Sequence, residues 1–375
     1  MSTIYIHWPY CLSKCYYCDF NSIACKSNID YLEYCQLYKN VLNKFIKQFY
    51  NNEVITSIYL GGGTPSLVEP IFIDNLLNFI YKEFEISEAI EITIEANPKT
   101  IDKYKAKEFK LSGINRISIG VQSIIDEDLR ILGRIHNSYD AIKCVYDMSD
   151  VFNNISIDMI YNRPGQKIDD WLIELNKVFK LPIQHISMYE LIIENNTYIK
   201  YLIDNGFIKS PNPNSDFMEK TIQVAKNNGF EMYEISNYVK NDTKLYSRHN
   251  LSYWNYDRYY GVGAGAHSRV SDGNNIYAIE QICNINDWML WAKNPIFNLE
   301  LLTQDDIYKE QLLMGLRTKF GVDINKLNKN MINKYKLFDK IKVLKHNSYV
   351  IDNDSYVILT YSGMLKFNMI VDYLT

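Results

Sequence analysis

The sequence predicts an α/β protein, a partial (β/α)6 barrel followed by a smaller C-terminal, helical, winged-helix-like domain. Three observations predict it. Strand-like and helix-like stretches alternate six times before Tyr189, the order that gives parallel strands with covering helices. Polar and small residues recur just after the strand-like runs, where parallel barrels gather their reactive groups. From Thr303 onward the rhythm changes to short helices and short strands. The length of 375 residues and a 47% hydrophobic content suit one large unit with a sizeable core and a small appended one.

Thr3–His7 reads as the first strand, and a cysteine-rich loop follows it. Tyr31–Tyr50 carries apolar positions at helical spacing, and Val54–Leu60 is a β-rich run that ends in Gly61-Gly62-Gly63-Thr64-Pro65. Ile71–Phe84 is helical in period, Ile90–Glu95 a strand, and Tyr104–Leu111 helical. Ile114–Ile119 is the next strand, followed by helices over Glu127–Leu132 and Tyr139–Met148. Ile155–Ile160 and Gln184–Tyr189 are two more strands, separated by a helix over Asp169–Phe179. Six repeats suit an open barrel better than a closed one of eight. The pattern loosens around Asn195–Asn214, where Ser210-Pro211-Asn212-Pro213-Asn214 reads as a loop. Phe217–Asn228 is a helix, Glu231–Ser236 a strand, and a turn-rich aromatic segment continues to Gly273. Beyond Thr303 come two or three short helices, short strands at Lys342–Leu344, Tyr349–Ile351 and Tyr356–Leu359, and a last helix from Ser362. The expected divisions are 1–215 for the barrel, 216–300 for an extension of it, and 301–375 for the winged-helix-like domain.

Net charge is -4 with acids and lysines interspersed, so no field draws the chain to nucleic acid. Residues 1–30 lack the pattern of a signal peptide, and no apolar stretch reaches the about 18 residues of a membrane span. Cys25, Cys35, Cys144 and Cys283 are scattered, against a disulfide framework. A reducing cytoplasm is the expected location.

Cys11, Cys15 and Cys18 stand in Cys-Leu-Ser-Lys-Cys-Tyr-Tyr-Cys, three thiols on one short loop. Three thiolates can hold three irons of a [4Fe-4S] cubane and leave the fourth iron open to an exogenous ligand. A structural zinc site with His7 as fourth ligand, a redox dithiol, and three unligated cysteines are the alternatives. Zinc sites usually bring two separated ligand pairs, and no second pair follows at a fitting spacing. The glycine run after the second strand lets backbone groups approach a ligand, although a plain tight turn needs the same residues. Glu95 ends the third strand, Gln122 follows the fourth, and Asp158 lies in the fifth. Any one of these reads equally as a surface polar residue. Together, at successive strand ends, they mark a barrel mouth built to bind something.

With these motifs in hand, the chain resembles the radical S-adenosylmethionine proteins, in the branch of oxygen-independent coproporphyrinogen III oxidase and its relatives. The likeness runs from Tyr5 to the C-terminal module. It implies that Cys11, Cys15 and Cys18 ligate the cluster and that the cofactor's methionine amino and carboxylate groups chelate the open iron, for reductive cleavage to a 5′-deoxyadenosyl radical. It further implies cofactor contacts at Tyr5, Tyr17, Gly62, Gly63, Thr64, Glu95, Gln122, Arg134 and Asp158. Glu95 would accept from the methionine ammonium and Arg134 would pair with the carboxylate.

Within that branch the oxidases carry a further cysteine two positions after the third, and a longer arm before the cluster. Here the position is Phe20, in Cys18-Asp19-Phe20, and the motif begins ten residues in. Both departures make the chain similar to the HemW-type haem chaperones instead. Arg248-His249-Asn250-Leu251-Ser252-Tyr253-Trp254 carries the His-Asn-x-x-Tyr-Trp signature of that group, and Gly261-Val262-Gly263-Ala264-Gly265-Ala266-His267-Ser268 follows. The resemblance implies haem binding with His249 near the haem and His267 as the lesser candidate. Both also read as histidines that merely hold loops together. It implies transfer of haem to acceptor haemoproteins, with peripheral contact to membrane respiratory proteins; anaerobic coproporphyrinogen III oxidation is the rival activity. One stretch departs from the family: Asp158-Met159-Ile160-Tyr161-Asn162-Arg163-Pro164 has Asn162 and Arg163 where a glycine and a leucine are usual. Asn162 can take the positive φ of the glycine, and Arg163 is expected to add a charge near the barrel mouth.

Overall fold

Six strands pair side by side in chain order, all parallel: β1 (Ser2–Trp8), β2 (Ile55–Gly62), β3 (Ile86–Ala96), β4 (Arg116–Gln122), β5 (Ile155–Tyr161) and β6 (His185–Glu190). The computed structural model describes residues 1–25, 29–212, 216–240, 242–352 and 355–375. The expected boundary at 215, and Pro213 and Asn214 of the expected loop, lie outside them. The strands alternate in character: isoleucines face the covering helices, and polar or tyrosine side chains such as Tyr59, Glu95, Ser118 and Asp158 face the inside. Ile117, Ile119, Ile155 and Ile157 are all fully buried. Right after β1 and β2 come the helices Tyr31–Phe49 and Pro70–Glu83. The first starts where Asp30 accepts from the amides of Leu32 and Glu33, each at 3.0 Å, and it buries Leu37, Tyr38, Val41, Leu42 and Phe45 along one stripe.

The barrel does not close on itself; antiparallel strands extend both edges into one twelve-stranded sheet. Beside β6 lie Asn237–Lys240 and Phe230–Glu234. Beside β1, Arg258–Val262 adds a parallel strand in register Tyr5 with Gly261, followed by the antiparallel strands His267–Ser271, Ile276–Glu280 and Glu300–Leu301. The segment expected to be turn-rich therefore contributes three short strands and the helix Arg248–Trp254, and the loosened stretch near Asn195 contains a helix, Tyr198–Asp204.

A second buried core runs from Tyr308 to Leu374, apart from the barrel core that ends at Ala292. Its small sheet orders Val322–Asp323, Tyr356–Leu359 and Val350–Asp352. The strand expected at Lys342–Leu344 is instead inside the helix Leu337–His346. Leu337, Ile341 and Leu344 recur at helical spacing and all turn into the core, so the longer period wins over the short apolar run. Among the described residues no helix is long and apolar enough to cross a membrane.

Candidate functional site

The cysteine loop leaves β1 at the barrel mouth and is fastened on three sides. Tyr10 and Cys11 pair with Ile23 and Ala24. The Tyr16 amide donates to the Leu132 carbonyl at 3.0 Å, and the Ile199 amide to the Tyr16 carbonyl at 2.8 Å. Asn21 Nδ2 donates to the carbonyls of Ala264 and Cys283 at 2.9 and 2.8 Å, which ties the loop to the sheet extension. Cys11, Cys15 and Cys18 line one pocket with Tyr17, Gly62, Gly63, Thr64, Glu95, Gln122, Arg134 and Asp158. Every residue expected from the strand ends is thus brought to one place except Tyr5 and His249, which face the neighbouring cavity.

The glycine turn earns its composition at Gly62. Its φ is +107°, and a Cβ there would fall 2.6 Å from the His7 ring. Gly63 and Thr64 donate to the Trp8 and Tyr10 carbonyls at 2.6 and 2.9 Å, so the turn lies against the start of the cysteine loop. Glu95 spans two strands: its oxygens accept from Tyr59 Oη at 2.8 Å and the Gly62 amide at 3.1 Å. Each oxygen keeps a further lone pair for a ligand cation. Burial, and then the Asp158 carboxylate, push the Glu95 carboxyl up to about 7, against those two donors. Burial also raises Asp158, which accepts from Ser118 Oγ at 3.3 Å. Arg134 reaches Cys15 Sγ at 3.1 Å through Nη1 and the Gly120 carbonyl at 2.6 Å through Nη2.

These residues fit an iron–sulfur cluster. Burial raises the Cys11 and Cys18 thiols, so binding iron there releases protons. Among the described residues no His, Cys, Asp or Glu side chains converge on one point in threes, and ligands that each hold a different iron of a cubane need not converge. His7, the candidate fourth zinc ligand, has both ring nitrogens engaged: Nδ1 with Tyr5 Oη at 3.0 Å and Nε2 with the Asn21 carbonyl at 2.8 Å. Cys11, Cys15, Cys18, Cys35, Cys144 and Cys283 are free thiols.

Asn162 and Arg163 behave differently from each other. Asn162 takes φ +57°, as its replacement of a glycine requires, and its side chain exchanges hydrogen bonds with the Asn212 backbone at 2.9 and 3.0 Å. Arg163 adds no charge to the cofactor pocket, contrary to expectation. It is 1% exposed and turned outward, ion-paired with Glu174 and with Asp128 at 3.0 Å. The helix Ile168–Val178 supplies a buried carboxylate that a mouth-facing arginine would leave unpaired.

A second cavity of about 530 Å³ adjoins the first and shares Phe20, Gly62 and Glu95 with it. Tyr5, Tyr59, Tyr253, Trp254, Tyr256 and Tyr259 make its walls largely aromatic, and Glu310 and Met314 of the helix Gln304–Gly315 close its far side. Arg269 pairs with Glu310 at 2.7 Å, and Tyr256 Oη donates to the same carboxylate at 2.6 Å. His249 lies in the wall, 2% exposed and stacked on Tyr59 at 4.9 Å. Sequence reasoning missed Tyr59, Asn21 and the cavity itself. Tyr59 was recoverable, since it stands two residues before Gly61 and so shares its face of β2.

The sequence profile of the radical SAM superfamily matches residues 5–176. The heme chaperone HemW of Buchnera aphidicola from Acyrthosiphon pisum is 38% identical over 76% of this chain and 75% of its own length. HemW of Bacillus subtilis is 30% identical over 98% of this chain and 97% of its own. This chain belongs to the HemW family of radical SAM proteins. A mitochondrial radical S-adenosyl methionine domain-containing protein 1 from Danio rerio is 34% identical over 86% of the chain and 74% of that protein. Among solved structures, coproporphyrinogen III oxidase HemN of Escherichia coli superposes over the whole chain and 89% of its own, with a TM-score of 0.84. At 19% identity that likeness speaks for a shared fold, which in this chain carries the cysteine loop at the mouth of six parallel strands.

Proposed function

We propose that the chain is a cytoplasmic haem chaperone that holds a [4Fe-4S] cluster on Cys11, Cys15 and Cys18, keeps exchangeable S-adenosylmethionine beside it, and passes haem to acceptor haemoproteins. The observation that carries this reading is the aromatic cavity sharing a wall with the cysteine pocket, in a chain whose relatives are named heme chaperones. When bound, the cluster supplies an iron with an open position. Glu95 accepts from an N–H of the cofactor's amino group, Arg134 pairs with its carboxylate while keeping the Gly120 carbonyl, and the Gly62–Gly63 backbone leaves room for both. Gln122 and Asp158 complete that pocket, with Tyr17 and Thr64 packed beside the cysteines and Tyr5 in the adjoining cavity. Tyr253, Tyr256 and Tyr259 cover the flat, apolar faces of the haem.

The test is to reconstitute the full chain anaerobically and incubate it separately with haem and with coproporphyrinogen III. About four irons and four sulfides per chain are expected, with loss of both in Cys11→Ala, Cys15→Ala and Cys18→Ala, haem binding near one per chain, and no protoporphyrinogen IX. Oxidase turnover, or no haem binding by the reduced protein, overturns the reading.

A further inference from the structure

Three histidines border the aromatic cavity: His7, His249 and His267. Two of them have no nitrogen to give. His7 is held between Tyr5 and Asn21, as described above. His249 Nδ1 bonds Ser57 Oγ at 2.9 Å, and its Nε2 bonds Tyr253 Oη at 2.9 Å. A neutral imidazole has one N–H and one lone pair, so two such bonds use both. Coordinating iron through His249 would strand the buried Ser57 hydroxyl or break the bond to the half-buried Tyr253 hydroxyl.

His267 is built the other way. It begins the strand His267–Ser271, its side chain is 58% exposed, and neither ring nitrogen makes a hydrogen bond among the described residues. The nearest partner is Glu280 Oε1, 3.9 Å from Nε2, beyond hydrogen-bond reach. A small ring movement lets that carboxylate take the N–H of one nitrogen, which leaves the lone pair of the other for a metal.

We infer that His267, at the open rim of the cavity, is the imidazole this chain offers to haem iron, and that His249 is a positioning residue which holds Tyr253 and Tyr59 in the wall. This rests on the haem-binding reading above. The placement also answers how a carrier lets go. Delivery is a ligand exchange: the Fe–N bond to the chain breaks, a bond to the acceptor's ligand forms, and the iron keeps its oxidation state. A ligand at the rim can be displaced by an incoming one, whereas a ligand in the wall would require the cavity to come apart first.

The experiment titrates haem into the full, cluster-loaded wild type, His267→Ala and His249→Gln, read by haem difference spectra and magnetic circular dichroism, with iron and sulfide content as the check that each variant is intact. The wild type should show a histidine-ligated spectrum. His267→Ala should lose it, bind haem at least tenfold more weakly, and recover the spectrum when imidazole is added. His249→Gln should keep the axial signature. If the wild type binds haem and His267→Ala leaves the spectrum unchanged, the ligand assignment alone fails. Loss of the signature in His249→Gln but not in His267→Ala likewise overturns it. If the wild type binds no haem, the chaperone reading fails and takes this inference with it.

Discussion

At the scale of single residues the most exacting position is Glu95. Its carboxyl is held at about 7 by burial and by Asp158, yet accepting from the amino group of a sulfonium cation favours its ionised form. A ligand that binds the deprotonated form binds more tightly as pH rises through that value and then levels off. S-adenosylmethionine should therefore bind the reduced, cluster-loaded protein about tenfold more weakly one unit below the Glu95 value than well above it, about 1.4 kcal/mol per unit. The perturbation of the cluster's EPR signal, titrated at pH 6 and pH 8, measures this. Glu95→Gln should flatten the dependence and weaken binding throughout. Equal affinities in the wild type at the two pH values would remove Glu95 as the acceptor for the cofactor's amino group. The same raised value acts on stability with the opposite sense. Ionisation costs the folded state more than the unfolded one, so this group subtracts stability as pH rises from the ordinary carboxylate range through about 7.

At the scale of elements, Arg163 shows how a departure from a family pattern is absorbed. It joins the turn after β5 to the helix Ile168–Val178 through Glu174, and its Nη1 also meets the Gln122 carbonyl at 3.4 Å at the end of β4. Arg163→Ala leaves Glu174 buried and unpaired, and should cost about 3–5 kcal/mol in urea unfolding. Arg163→Leu with Glu174→Leu should recover most of that loss. A small loss in the single variant would mean that water, or the Ser123 hydroxyl and Ile124 amide that also donate to Glu174, already compensate. The sequence could not reveal this pairing, because whether an arginine faces a pocket or a helix depends on where Glu174 arrives in space. What sequence did reveal were features with a strong local signal. The parallel strands alternate isoleucines with polar residues, as in Arg116-Ile117-Ser118-Ile119 and Ile155-Ser156-Ile157-Asp158, and Cys11, Cys15 and Cys18 define their loop by spacing alone. The sheet extension was hidden because Arg258–Val262 and His267–Ser271 are only five residues long, with Gly261, Gly263 and Gly265 in and between them reading as turns. The order of the two histidines was hidden for a related reason. The signature around His249 is conspicuous and includes Tyr253, which engages one of its nitrogens, but the partner of the other, Ser57, comes from far off in the chain.

At the scale of the whole molecule, the cysteine pocket and the aromatic cavity are not separable compartments. Phe20, Gly62 and Glu95 belong to both, Phe20 is 58% exposed, and Asn21 beside it clamps the cysteine loop to the strands that carry His267. A ligand on one side that orders this shared wall spares the second ligand that cost, so the two should bind with positive coupling. Haem affinity should rise about fivefold or more in the presence of saturating S-adenosylmethionine, the lower end of usual coupling. Linkage then demands the reciprocal effect: haem must tighten S-adenosylmethionine binding by the same factor. Haem titrations with and without the cofactor, and cofactor titrations with and without haem, give the two factors independently. Phe20→Ala should bring both toward one while each ligand still binds alone, because it removes the side chain that touches both cavities without touching Glu95, the cysteines or His267. Two factors that disagree would mean that the reconstituted protein is not at equilibrium. Two factors of one in the wild type would mean that haem sits beyond the shared wall, at the Glu310 and Met314 end of the cavity, out of contact with Phe20.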